Sequence, residues 1–225
     1  IVGAGWIGSD VAASARQVGV DVVLIDPHST PLESVLGPTV GAAFARLHAD
    51  HGVDLRLGAG ITEVVGTDSV EAVRLDDGRS EAADLVVAGI GALPRTVLAE
   101  RAGLGIHDGI VVDDHLRTSR PGIYAAGDVA SARHPHYGTH LRVEHWANAQ
   151  NQGATAGANA VGQDRAYDRL PYFFSDQYDL GLEYLGHPSP DDELTIRGDL
   201  SGLRFVAFWH RGGVVHAAIN VLNPA

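Results

Sequence analysis

Gly3, Gly5 and Gly8 stand in the order G-x-G-x-x-G in Ile1-Val-Gly-Ala-Gly-Trp-Ile-Gly8, and the chemistry they permit is that of the peptide backbone. Gly3 allows a sharp strand-to-helix turn, Gly5 lets a pyrophosphate approach the main chain, and Gly8 lets the helix pack close to the strand. Free N–H groups at the helix start then face phosphate oxygens, with Trp6 and Ile7 as neighbouring candidate contacts. About 20 residues further on, Asp26 offers a carboxylate to both hydroxyls of an adenosine ribose. It would repel a 2′-phosphate, and no Arg or Lys occurs between Arg16 and Arg46 to neutralise one, so the pattern selects NAD over NADP.

Two strands and a helix must hold these residues. Ile7, Val11, Ala15 and Val18 follow helical spacing, Gly19 can end that helix, and Val20 to Ile25 reads as a buried parallel strand closed by Asp26. Pro27 to Pro38 reads as a loop with a short helical turn. Val40, Phe44, Leu47 and His51 then share a helical face, Gly52 ends it, and Val53 to Leu57 alternates as a strand. This β-α-β-α-β order is half of a doubly wound unit. Ile61 to Val65 and Val70 to Leu75 alternate before the Asp77-Gly78 turn. Asp84 to Ala88 reads as another buried strand, running into Gly89-Ile90-Gly91, small residues past which a cofactor can run. Near the end, Leu194 to Arg197, Leu203 to His210 and Val214 to Val221 read as strands, with a hairpin at Gly212-Gly213 and with Phe205, Phe208 and Trp209 expected in a core.

Composition narrows the function classes. A net charge of −12 argues against nucleic acid, whose phosphates require a basic surface. There is no apolar run of membrane-spanning length and no cysteine for disulfides or thiolate ligands, so a cytoplasmic protein is expected. His134-Pro-His136 and His140 offer imidazoles without a carboxylate at ligand spacing, and no metal site is expected.

Two further segments carry chemistry. Thr118-Ser-Arg-Pro-Gly-Ile-Tyr-Ala-Ala-Gly127-Asp128 reads as a turn, a short apolar strand, and a carboxylate that can accept from sugar hydroxyls or cap the next helix. The order G-x-G-x-x-G, VVAGIGALP, T-x(5)-YAAGD resembles the flavoprotein pyridine-nucleotide reductases. Within them, Arg142-Val-Glu144-His145-Trp146-Ala-Asn-Ala-Gln150 and Pro171-Tyr-Phe-Phe-Ser-Asp-Gln-Tyr-Asp179 resemble the ferredoxin reductases of bacterial oxygenase systems, over essentially the whole chain.

The resemblance implies an α/β fold: a doubly wound Rossmann-like NAD(H)-binding domain at 1–91, the second part of a FAD-binding domain at 92–170, and a C-terminal α+β reductase domain at 171–225. It implies electron flow from NADH through FAD to a ferredoxin or rubredoxin, with no catalytic acid or base. Gly127 and Asp128 would meet the FAD ribityl and phosphate region, Glu144, His145 and Trp146 the flavin ring, and Gly89, Ile90 and Gly91 the nicotinamide. Asp10 stands where a Glu is common near the nicotinamide, one methylene shorter. Arg117, Arg120, Arg133 and Arg142 would gather as a basic face for an acidic ferredoxin. The family's first FAD motif is absent from the sequence and Ala217–Ala225 stops before the family's helical tail, so truncation at both ends is expected. The alternatives are a non-turnover NADH-binding flavoprotein resembling apoptosis-inducing factor, or another FAD-dependent NADH reductase such as monodehydroascorbate reductase.

Overall fold

The computed structural model describes residues 1–222. Helix α1 (Trp6–Gln17) leads to strand β1 (Val22–Asp26), helix α2 (Glu33–Asp50) and strand β2 (Val53–Leu57). Strands β1 and β2 pair in parallel from Val22↔Val53 to Asp26↔Leu57. Val2 bridges Ile25 on one side and Ala88 on the other, both parallel, so the spatial order is β2, β1, Val2, Ala88, that of one doubly wound half.

The buried face of α1 differs from the one its larger apolar residues indicate. Gly8, Ser9, Ala12 and Ala13 are buried, whereas Ile7 and Val18 are exposed. The cause is close approach: Ala12 shares a small cluster with Ala4, Val22, Leu24 and Val53, and only small side chains fit between the helix and the strand. The expected strand at 84–88 is also revised. That segment is extended but meets the sheet at one bridge, where Val2 donates to the Val87 carbonyl at 2.8 Å and accepts from the Gly89 N–H at 2.7 Å. Leu85 is 76% exposed there, so the segment is not a buried strand.

Strands β3 (Ile61–Val65), β4 (Ala72–Leu75) and β5 (Ser80–Ala82) form an antiparallel meander, with Gly78 at φ +86° in the turn that Asp77-Gly78 predicts. Helix α3 (Val97–Arg101) precedes a second small sheet of β6 (Ile110–Val112), β7 (Ala130–His134) and β8 (Thr139–Leu141), followed by helix α4 (Trp146–Ala160). The short apolar strand expected before Gly127 is reduced to an Arg117↔Tyr124 bridge, and a 3-10 turn, Gly127–Val129, follows it.

The C-terminal strands β9 (Tyr172–Gln177), β10 (Leu180–Gly186), β11 (Glu193–Asp199), β12 (Arg204–Arg211) and β13 (Val214–Leu222) pair antiparallel in the order β11-β12-β13-β10-β9. Gly212 and Gly213, at φ +57° and +83°, make the β12–β13 turn. Phe205 and Trp209 are buried and Phe208 is partly buried on the alternate face. The inner face of this sheet shares one apolar cluster with α2, in which Leu36, Val40, Phe44 and Leu47 join Leu182, Tyr184, Phe205, Trp209 and Ile219. In α2 itself, Gly37 at φ +74° separates a short helical turn from the longer helix that Pro38 opens.

His48, also on α2, is fully buried, with Nδ1 3.1 Å from the Tyr178 hydroxyl. Burial, with a smaller contribution from His51, lowers its pKa to about 4. Because the folded pKa lies below the unfolded value, stability is whole above about pH 6.5 and declines toward pH 4, by roughly 1.4 kcal/mol per pH unit. Between pH 7 and pH 5 the protein should therefore lose about 2 kcal/mol more than a His48→Gln variant, read by urea unfolding. Equal losses would show that His48 accepts a proton in the fold.

Candidate functional site

The first cradle is built of backbone. Gly3 has φ +94°, and a methyl group on it would lie 2.3 Å from the Gly89 carbonyl oxygen; one on Gly8 would lie 1.8 Å from the Gly3 carbonyl oxygen. A methyl on Gly5 would meet no atom within 4 Å. Two of the three glycines thus serve packing, and the third borders open space at the N-terminus of α1. That terminus has no side-chain cap and no acidic residue in its first turn. Its N–H groups and the helix dipole are left available to an anion.

Asp26 sits at the end of β1, 8% exposed. Its Oδ2 accepts from the Ala4 N–H at 2.6 Å, and its Oδ1 accepts from the His28 N–H at 2.8 Å and lies 2.7 Å from His28 Nδ1. The carboxylate therefore ties the glycine loop to the strand end. A carboxylate has about four lone-pair sites, so the ties leave acceptor capacity. Gly89, with Ile7 and Gly8 beside it, flanks the same helix start; Gly91, at φ +97°, borders open space, and Ile90 is exposed.

The side chains of Trp6 and Asp10 turn toward strand β9. Trp6 packs on Phe173, ring centroids 4.6 Å apart, leaving only its main chain toward the cradle. Asp10 Oδ1 accepts from Ser175 Oγ at 2.5 Å and from Gln177 Nε2 at 2.9 Å, both on β9. Burial raises the Asp10 pKa, and these two hydrogen bonds oppose the rise.

The second cradle lies at the start of α4. Gly127, at φ +73°, donates its N–H to Gln152 Oε1 at 2.8 Å, and a methyl on it would come within 3.3 Å of the Ala149 side chain. Asp128 is exposed and makes no side-chain cap, which settles against helix capping. His145 is the N-cap residue without a capping side chain; burial lowers its pKa, and its Nδ1 is buried without a partner. Trp146 is 70% exposed at the first helical position. Glu144, exposed, pairs with Arg142, which also reaches Asp108 at 2.9 Å. Arg117 likewise pairs with Asp164 at 2.5 Å, so these charges of the expected basic face are already matched by carboxylates.

Phe173 joins the two cradles. Its ring lies 4.6 Å from Trp6, the first residue of α1, and 5.2 Å from His145, the N-cap of α4. Sequence reasoning missed this role, and it missed Asn148, Gln152 and Asn159, buried polar residues on one face of α4. Asn148 donates to the Val143 carbonyl and accepts from the Tyr167 hydroxyl, while Asn159 holds the His115 and Arg165 carbonyls and the Arg165 N–H. Their helical spacing was a signal: a polar stripe where an amphipathic helix would turn apolar side chains inward.

Known proteins resemble this chain in sequence and fold. Residues 1–153 match the pyridine nucleotide-disulphide oxidoreductase family and residues 172–225 the reductase C-terminal family. The anthranilate 1,2-dioxygenase system ferredoxin–NAD(+) reductase component of Burkholderia cepacia is 40% identical over 98% of the chain and 55% of its own length. A ferredoxin reductase from Rhodopseudomonas palustris superimposes with a TM-score of 0.92 at 35% identity, over 98% of this chain and 55% of that one. The reductase in a covalent putidaredoxin reductase–putidaredoxin complex gives 0.94 at 37% identity, over 99% and 54%. The chain thus spans about half the length of these relatives.

Proposed function

Since the chain belongs to the pyridine nucleotide-disulphide oxidoreductase family, we propose that it carries the NADH site and part of the FAD site of a cytoplasmic flavoprotein. That enzyme passes electrons from NADH through FAD to a ferredoxin or rubredoxin of an oxygenase system. One observation carries the proposal: Phe173 touches the N-terminal residue of each of two helices, and neither helix has a capping side chain or an acid in its first turn. Two such termini around one ring suit two anionic nucleotides whose reactive ends meet. The open space at Gly5 fits a pyrophosphate, and the exposed Asp128 beside Gly127 fits a sugar-phosphate chain. The names of the relatives, reductases of a dioxygenase system and of putidaredoxin, support the electron-transfer assignment.

In this assignment residues 1–91 bind NADH, 92–170 belong to the FAD domain, and 171–225 form the C-terminal reductase domain. The flavin, when bound, accepts hydride from NADH and releases electrons singly. The chain's own residues orient and exclude. The N–H groups from Gly5 to Gly8 hold the pyrophosphate, and Asp26 takes the ribose. Gly89, Ile90, Gly91 and Asp10 border the nicotinamide. Gly127 and Asp128 hold the flavin's ribityl and phosphate portion, while Glu144, His145 and Trp146 edge its ring, where the α4 N-terminus favours negative charge. No side chain is required as acid or base.

Two measurements test this. Asp26→Asn keeps an acceptor for the Ala4 N–H but removes the charge, so the preference for NADH over NADPH should fall about ten- to a hundredfold. An unchanged ratio would take Asp26 off the ribose. The flavin-loaded protein, bleached by NADH, should then reduce an iron–sulfur ferredoxin or a rubredoxin; bleaching with no reduction of either would sink the electron-transfer assignment.

A further inference from the structure

Strand β9 does more than begin the C-terminal sheet. Its alternate residues Phe173, Ser175 and Gln177 all turn to one side. On that side Phe173 meets Trp6 and His145, and Ser175 and Gln177 both donate to Asp10. Trp6 and Asp10 are one helical turn apart on α1, so β9 grips the face of α1 next to the one that meets Gly89.

We propose that Ser175 and Gln177 are positioning residues for the nicotinamide end of NADH: the C-terminal sheet, through Asp10, fixes the side of α1 along which that end must run to reach the start of α4. The inference rests on the nucleotide assignment above. Two geometric facts support it. The link is specific, since both donors converge on the same carboxylate oxygen, Oδ1 of Asp10, and Gln177 also lies 3.3 Å from Ser175 Oγ. It is also rigid, since Gln177 is fully buried and Ser175 nearly so. A carboxylate held by two donors keeps one rotamer, and its other oxygen, Oδ2, is left to accept from a carboxamide N–H. Without the donors, Asp10 swings and the carboxamide loses a fixed partner.

The test separates the two ends of the dinucleotide. NADH and ADP-ribose share the adenosine and pyrophosphate; only NADH has the nicotinamide. In the full chain, Ser175→Ala should weaken NADH by about tenfold, the loss of one hydrogen bond to a charged group, and leave ADP-ribose binding unchanged by calorimetry. Ser175→Thr, which keeps the hydroxyl, should restore NADH. Gln177→Leu should behave as Ser175→Ala does. If both ligands weaken together, or neither changes, Ser175 and Gln177 serve folding alone and the inference is overturned. If the unsubstituted protein binds ADP-ribose but not NADH, the inference falls while the cradle assignment stands. Failure to bind either ligand removes the nucleotide assignment itself, and the inference with it.

Discussion

Alanine at Gly5 should leave the protein folded and weaken its hold on NADH, whereas alanine at Gly8 should damage the fold itself. The three glycines of the fingerprint look equivalent in sequence, but their surroundings differ. A methyl on Gly8 overlaps the Gly3 carbonyl oxygen at 1.8 Å, and one on Gly3 overlaps that of Gly89 at 2.3 Å from a backbone with φ +94°. Neither obstacle is a flexible side chain, so α1 must move off the Gly3 turn in one variant and the Gly89 segment must withdraw in the other, at a cost of about 3 kcal/mol. Gly5, with φ −73° and no atom within 4 Å of an added methyl, accepts alanine without strain. The methyl would instead occupy the space where the phosphates approach, costing one or two charge-assisted hydrogen bonds, about ten- to a hundredfold in NADH affinity. Thermal melts and NADH titrations of the three variants check this. Tight NADH binding by Gly5→Ala would place the phosphates elsewhere.

That contrast shows where the sequence was informative. The glycine positions were legible because they answer to local demands: a positive φ, a close contact, an open approach. The second half of α2 was legible for the same reason, its apolar residues repeating at helical spacing and Gly52 ending it at φ +79°. Pairing across the chain was not legible. The run from Asp84 to Ala88 has the composition of a buried strand, yet a strand is defined by its neighbours, and among the described residues Val2 alone supplies them. The inward face of α1 was misread because alanine, serine and glycine carry little hydrophobic signal, although close packing selects them. Asp26 was placed rightly at the strand end, but its hold on Ala4 depends on how the glycine loop folds back over it. Asp10 and Ser175 are 165 residues apart, and no periodicity connects them.

Phe44→Ala should be the most damaging single substitution in the apolar interior, lowering stability by about 3–5 kcal/mol. Phe44 is 0% exposed and lies on α2, a helix that sequence order assigns to the nucleotide half. Its cluster nevertheless runs into the C-terminal sheet, taking in Leu182, Tyr184, Phe205, Trp209 and Ile219. The cavity left by the ring would open between two parts that the sequence separates by more than a hundred residues. Backbone on both sides is held by hydrogen bonds, helix α2 on one and the sheet β9 to β13 on the other, and cannot collapse to fill it. Loss of the ring should therefore destabilise both parts together. In urea, far-ultraviolet dichroism and tryptophan fluorescence, the latter reporting Trp6 and Trp209 at this junction, should fall in one coincident transition with a lower midpoint and an unchanged slope. Two separated transitions in the unsubstituted protein would show that the shared cluster does not couple them. Coupling is what the chemistry requires: the contacts of β9 with Trp6 and Asp10 can hold α1 in place only while α2 keeps the sheet that carries β9 seated against the nucleotide half.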